Sequence, residues 1–224
     1  MTDKRKSRLS DLKKVRTLLN NGDDPRISRI YYKLKGLAES GSLGKVHSAM
    51  QLAVCSYLVE QGYDLLNVEY GNGSSGNPNK YLIDVYARHP DGNSIGIEVE
   101  SRRPKGLDIH IAARTSKKII RYSPFADLFF LAYLQGAMPT FAEHYMNGVR
   151  NELDVAFIKY LIDGKCISFD EQEIKRGHIN GMLLVNLEEG YIDTILMNDP
   201  VVDQYLYRVN AIDHGCLCGF STNK

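Results

Sequence analysis

Three carboxylates stand close together in the stretch KYLIDVYARHPDGNSIGIEVESRRP: Asp84, Glu98 and Glu100. The run Pro-Asp-Gly-Asn within it is turn chemistry, since proline and glycine supply the φ values that a tight reversal needs. The flanking residues then read as two antiparallel strands, 81–88 and 94–101. With the turn centred on Asp91, Arg88 faces Ser94 and Asp84 falls opposite Glu98, their Cβ atoms about 4.5–5.5 Å apart. Glu100, two residues beyond Glu98, shares its face of the sheet. Like charges directly opposite destabilise a sheet unless water screens them, protons neutralise them or a cation binds them. Oxygen ligands in this number suit Mg2+ or Mn2+. The plain alternative is a wet hairpin face, because exposed acidic residues are common.

The neighbours sharpen the chemical reading. Ile95, Ile97 and Val99 alternate with the glutamates and point to the other face, while Arg102, Arg103 and Lys105 follow at once. Carboxylates flanked by cations are what metal-assisted phosphodiester cleavage uses. The metal polarises the phosphate and lowers the pKa of a bound water, and the cations stabilise developing charge.

The elements that must position these groups are legible from periodicity. Leu9, Leu12, Val15, Leu18 and Leu19 recur at helical spacing, and Asn21-Gly22 ends that pattern. ISRIYYKLKGLAES is a second short helix. VHSAMQLAVCSYLVEQG is the clearest, with a wide apolar face and Gly62 as its stop. YDLLNVEYG is strand-like, NGSSGNPN is a loop, and the hairpin follows. GLDIHIAARTSKKIIRYSP is helical, with Ile109, Ala112, Ala113, Ile119 and Ile120 apolar. ADLFFLAYL is a continuous apolar run, as in a strand covered on both faces. A strand reached through a helix pairs in parallel by a crossover. The fold class is therefore α/β, with a core of helix, three strands, helix and strand around a mixed central sheet. N-terminal helices precede this core and a C-terminal α+β extension follows. There, TFAEHYMNGVRNELDVAFIKYLIDG reads as mostly helical, GMLLVNLEEGYIDTILMN as a hairpin and VVDQYLYRVN as an edge strand.

With those elements in order, the chain resembles the PD-(D/E)XK nuclease superfamily over residues 45–135, and its restriction-endonuclease-like core. Asp84 matches the first metal-binding Asp, with Ile83 in place of the proline, and Glu98 matches the (D/E). IEVESRR is similar to the EVKSR of archaeal Holliday-junction resolvases, with Glu100 where the family has Lys. The glycine- and serine-rich loop 71–77 sits where those resolvases carry theirs. In size and pattern the chain is also similar to resolvase-like nucleases of archaeal viruses. The resemblance implies Mg2+ or Mn2+ held by Asp84 and Glu98 with the Val99 carbonyl. Glu100 would orient or deprotonate the attacking water, or add a ligand. Lys105, Lys117 or Arg114 would supply the positive charge that the family takes from its Lys. Gln51 occupies the place of a helical carboxylate that often completes the site, with His47 one turn earlier. Lys118 ends the same helical stretch as Lys117, where cations also suit the helix dipole.

Composition sets the outer bounds. The chain has 224 residues, 43% hydrophobic and 25% charged, with net charge +1. No apolar run approaches the roughly 18–20 residues that span a bilayer, and the basic N-terminus lacks an apolar h-region. An intracellular, cytoplasmic protein is expected (host cytoplasm if viral), with no membrane partner. Residues 1–35 hold eleven Lys and Arg against four Asp, whereas 151–224 hold six basic and twelve acidic residues. A basic arm attracts phosphate backbones, or simply solubilises a tail. Cys55 fits a core position. His214, Cys216 and Cys218 lack a fourth ligand and match no structural zinc spacing.

The expected organisation is a basic helical segment 1–44, a nuclease core 45–135 and an extension 136–224. The expected activity is metal-dependent hydrolysis of DNA, branched or junction DNA included. Arg102, Arg103, Arg114, Lys117, Lys118 and the N-terminal basic helix would contact phosphates. A symmetric homodimer would serve two strands, with the aromatic strand at 128–133 and the C-terminal hairpin as its interface. The alternative is a DNA-binding protein on a nuclease scaffold that no longer cuts, favoured by Glu100 and Gln51 standing where the family has Lys and a carboxylate.

Overall fold

A computed structural model describes residues 3–71, 82–104, 106–148, 151–162 and 169–209. The chain opens with three helices: α1 (Asp3–Leu18), α2 (Pro25–Ser40) and α3 (Lys45–Glu60). Asp24 caps α2 by accepting the Arg26 N–H, Pro25 presets its first turn, and Gly41 closes it at φ 82°. Gly62, at φ 88°, ends α3 as its sequence position implies. Three strands follow, β1 (Leu65–Gly71), β2 (Leu82–Arg88) and β3 (Ser94–Glu100), then α4 (Ile109–Tyr122) and β4 (Leu128–Leu134). The order helix, three strands, helix, strand is as expected.

The sheet is six-stranded and mixed, in the order β1-β2-β3-β4-β6-β7, where β6 is Gly181–Asn186 and β7 is Tyr191–Leu196. β2 pairs antiparallel with both β1 and β3, β4 pairs parallel with β3 and with β6, and β7 turns back antiparallel against β6. The hairpin expected over residues 181–198 is therefore a continuation of the same sheet. The stretch expected to be mostly helical begins with a short strand, β5 (Thr140–Ala142), before α5 (Glu143–Asn147) and α6 (Glu152–Ile162); α7 (Glu171–Arg176) follows. VVDQYLYRVN, over its described residues 201–209, is not an edge of the main sheet. It forms a turn of 3-10 helix and then β8 (Tyr207–Val209), which pairs with β5 in a separate parallel ribbon.

Strand alternation divides the core into two layers. Phe130, Ala132 and Leu134 of β4 join Val85, Ile97 and Val99 against α1, α2 and α3. Phe129, Leu131 and Tyr133 point the other way and join Met182 and Leu184 against α4, α6 and α7. Phe129 is fully buried, and a side chain so placed contributes roughly 1.5–3 kcal/mol through burial alone. β4 lies inside the sheet between β3 and β6, so the aromatic strand cannot form the dimer interface suggested by its composition. Among the described residues, no helix is long and apolar enough to cross a membrane.

α2 fixes β1. Arg26 donates to the Tyr63 carbonyl and pairs with Asp64, Arg29 donates to the Leu66 carbonyl, and Lys33 donates to the Val68 carbonyl. The spacing 26, 29, 33 puts all three on one helical face. Three of the basic residues read as a phosphate-binding arm are thus engaged with the edge strand of the sheet.

Candidate metal centre

The hairpin register is the one that the turn implies. Arg88 pairs with Ser94, and the ladder continues to Val85 with Ile97. At the next rung it stops, and carboxylates take over the backbone bonding. The Asp84 N–H donates to Glu98 Oε1 at 3.2 Å, and the Val99 N–H donates to Asp84 Oδ2 at 2.7 Å. A second interruption faces it on β1. Val68 pairs with Val85 and Tyr70 with Ile83, but Glu69, opposite Asp84, drops out of the ladder. Its φ is 49°, unusual for a residue with a side chain. Alternation breaks at the same level: Val85 packs towards α1–α3, whereas Ile83, two residues away, packs with Tyr86 and Ala126 on the other side. The sheet therefore opens along one row, and Glu69, Asp84 and Glu98 occupy that row on three neighbouring strands.

Helix α3 meets this row from one side. His47 and Gln51, one turn apart, share a face. His47 Nε2 lies 3.2 Å from Asp84 Oδ1 and 4.0 Å from Glu69 Oε1. Gln51, fully buried, donates from Nε2 to Glu69 Oε1 at 2.7 Å and to the Asp84 carbonyl at 3.2 Å. One ligand atom from each of His47, Glu69 and Asp84 falls within 4.8 Å of the others. Among the described residues this is the group with metal-ligand spacing.

Helix α4 meets the row from the other side. Lys118 Nζ lies 3.1 Å from Glu98 Oε2, and Arg114 Nη2 lies 2.9 Å from Glu100 Oε2. Two strand residues i and i+2 and two helix residues i and i+4 repeat at nearly the same distance, about 6–7 Å. Running in opposite directions, β3 and α4 match the two pairs in reverse order.

The electrostatics follow from burial. Burial pushes the Glu98 carboxyl up, to about 8, and the Asp84 charge adds to it while Lys118 opposes it. Burial would lower Lys118, but Glu98, Asp84 and Glu100 outweigh it and hold the ammonium above the usual lysine range. His47 is likewise pulled down by burial yet raised overall, by its bond to Asp84 and the charges of Asp84 and Glu69. Burial raises Glu69, against the opposing bond from Gln51. Among the described residues, Glu69, Asp84, Glu98 and Glu100 face only Lys118, Arg114 and His47 here, so acidic groups outnumber basic ones.

That excess of acidic groups and an imidazole nitrogen among carboxylate oxygens fit a divalent cation at this point. His47, Glu69 and Asp84 would hold it, with Glu98 one rung away.

The structure brings Asp84, Glu98, Gln51 and His47 together, and adds Glu69. Glu100 is turned to Arg114. Val99, almost fully buried, uses its N–H on Asp84. Lys118, grouped by sequence with the phosphate contacts, faces Glu98. Arg102, Arg103, Arg114 and Lys117 line a groove of about 530 Å³, walled on one side by Ile111, Leu161 and Ile162. Lys105, the loop at 72–81 and the residues His214, Cys216 and Cys218 lie outside the described residues; Cys55 is core, as read. Glu69 escaped the sequence reading because its partner strand lies beyond a loop of unknown register. The Lys118 pairing was accessible from the matching offsets 98, 100 and 114, 118.

No protein-family model matches the chain, and no curated protein does. Among solved structures, SfsA of Pyrococcus furiosus in complex with Ca2+ is similar over 74% of this chain and 64% of that one, at 12% identity and a TM-score of 0.32. The match thus spans less than two thirds of the SfsA chain, and a likeness this loose decides nothing about the protein.

Proposed function

We propose that the protein is a divalent-metal-dependent nuclease hydrolysing DNA phosphodiester bonds, of the PD-(D/E)XK type that its sequence resembles. One observation carries this reading: three acidic side chains in one row of the sheet, at the level where its ladder opens, flanked by His47 on one side and Lys118 on the other. A sheet built only for stability has no reason to interrupt two ladders at the same level and bury carboxylates there.

In this reading His47, Glu69, Asp84 and Glu98 hold the ion. When bound, it supplies Lewis acidity to a phosphoryl oxygen and makes a water nucleophilic near neutral pH. One imidazole among carboxylates favours Mn2+ over Mg2+. Lys118 orients Glu98 and carries the positive charge that the family takes from its motif Lys. Glu100 holds Arg114 towards the groove, where Arg102, Arg103 and Lys117 bind backbone phosphates. Two copies of the chain would serve the two strands of a duplex or junction.

Plasmid nicking with Mg2+ and Mn2+ tests this. Wild type is expected to cut, faster with Mn2+, and Asp84→Ala and Glu98→Ala to lose cutting. Equal cutting by these variants would sink the reading. The second reading, a DNA-binding protein that no longer cuts, is favoured by the Gln51 amide lying among the would-be ligands. It predicts salt-sensitive DNA binding with no nicking under either metal.

A further inference from the structure

The Gln51 amide nitrogen has the surroundings of a cation. Glu69 Oε1 lies 2.7 Å from it, the Asp84 carbonyl 3.2 Å, His47 Nε2 3.2 Å and Asp84 Oδ1 3.5 Å. An NH2 group has two hydrogens, so the three oxygens alone exceed what it can satisfy. The other end of the same amide, Oε1, is buried with no hydrogen-bond partner, and the whole residue is 0% exposed.

The two ends of the amide exchange places by rotation about one terminal torsion, which has a broad two-fold profile. Without a cation, turning Oε1 inward would set an oxygen dipole against a carbonyl and two carboxylates. With a cation among them, the same rotation adds an oxygen ligand of the kind divalent ions accept. The favoured orientation therefore depends on whether a cation is bound.

We propose that Gln51 is a metal-responsive amide. Its Nε2 stands in for the cation in the metal-free protein, and its Oε1 becomes a protein ligand when a divalent ion binds between Glu69, Asp84 and His47. The inference rests on the metal-binding reading above and adds to it how the empty centre is stabilised and which atom completes it. A carboxylate at position 51 could not serve both states, because it has no hydrogen to donate to Glu69.

Two measurements on the full chain test it, neither of which uses DNA cutting. The first is Mn2+ titration by calorimetry of wild type and of Gln51→Leu, which keeps the bulk and removes both polar atoms. Binding is expected to weaken about tenfold or more, on the scale of changes at groups that support a metal. Unchanged or tighter binding by Gln51→Leu would make Gln51 a competitor only and overturn the proposal. The second needs no variant to fold: Mg2+ titration of 15N-labelled wild type, following the Gln51 side-chain NH2. That signal is expected to shift and to lose its protection from solvent exchange in step with saturation. Saturable Mg2+ binding with an unchanged Gln51 NH2 refutes the flip and leaves the metal site standing. No saturable binding of either metal to wild type refutes the site itself, and the flip with it.

Discussion

Lys118 on α4 and Glu98 on β3 meet at 3.1 Å, and the Glu98 side chain is only 4% exposed. A charge so deep is tolerable because its partner comes with it; removing one partner leaves the other uncompensated. Lys118→Met is therefore expected to destabilise the metal-free protein by roughly 3 kcal/mol at about pH 8, and by less at about pH 6, where Glu98 takes up a proton instead. Denaturant unfolding measures both. Lys118→Met combined with Glu98→Gln should recover most of the loss, and simple additivity of the two changes would refute the pairing.

The same carboxyl makes stability depend on pH. Glu98 is raised from 4.5 to about 8 in the folded protein, chiefly by burial. Such a group contributes stability that is complete below the unfolded value and is lost as pH rises through the folded value. His47, raised from 6.5, acts in the same direction. Unfolding free energy in EDTA should thus fall from about pH 5 to about pH 8. Glu98→Gln should flatten most of that slope, and saturating Mn2+ should flatten it in wild type. Stability that rises across this range in EDTA would contradict the account.

Glu69 holds a backbone conformation that ordinarily costs a residue with a side chain about 1–2 kcal/mol. Glu69→Gly removes that strain together with one proposed metal ligand and the bond from Gln51. Stability is expected to stay level or rise by up to about 1 kcal/mol, while Mn2+ affinity falls at least about tenfold. Thermal unfolding and calorimetry separate the two. A marked loss of stability with unchanged Mn2+ binding would mark Glu69 as structural.

In the proposed DNA-binding role, position decides which basic residues matter. Arg102 and Arg103 are exposed and Lys117 lines the groove, so each change to Ala should reduce the salt slope of DNA binding by about one. Arg29 and Lys33 are bonded to the carbonyls of Leu66 and Val68. Their replacement by Gln should lower stability and leave that slope unchanged. Fluorescence anisotropy over a range of salt concentrations makes the comparison.

These contrasts mark what the amino-acid order reveals. The hairpin was legible because its turn has a chemistry of its own, and the register then followed to Arg88 and Ser94. The buried character of β4 was legible because seven successive apolar or aromatic residues leave no wet face. Asp84 and Glu98 were legible as a pair for the same reason as the register. Glu69 was not, because a single Glu in NVEYG looks like any solvent-facing strand residue until β1 is aligned with β2. The role of Arg26, Arg29 and Lys33 was hidden in the charge count, since net charge carries no information about which carbonyl a side chain reaches. The separate β5–β8 ribbon was hidden as well, because three-residue strands are too short to show alternation.

The contacts between α2 and β1 also govern how molecules of this protein can join. The Arg29 and Lys33 arms occupy the Leu66 and Val68 carbonyls of β1, while β7 ends the order of strands at the opposite margin among the described residues. Growth by adding strand to strand needs two receptive margins on every molecule. With two β1 carbonyls already taken, such joining favours a closed couple through β7 over a fibre.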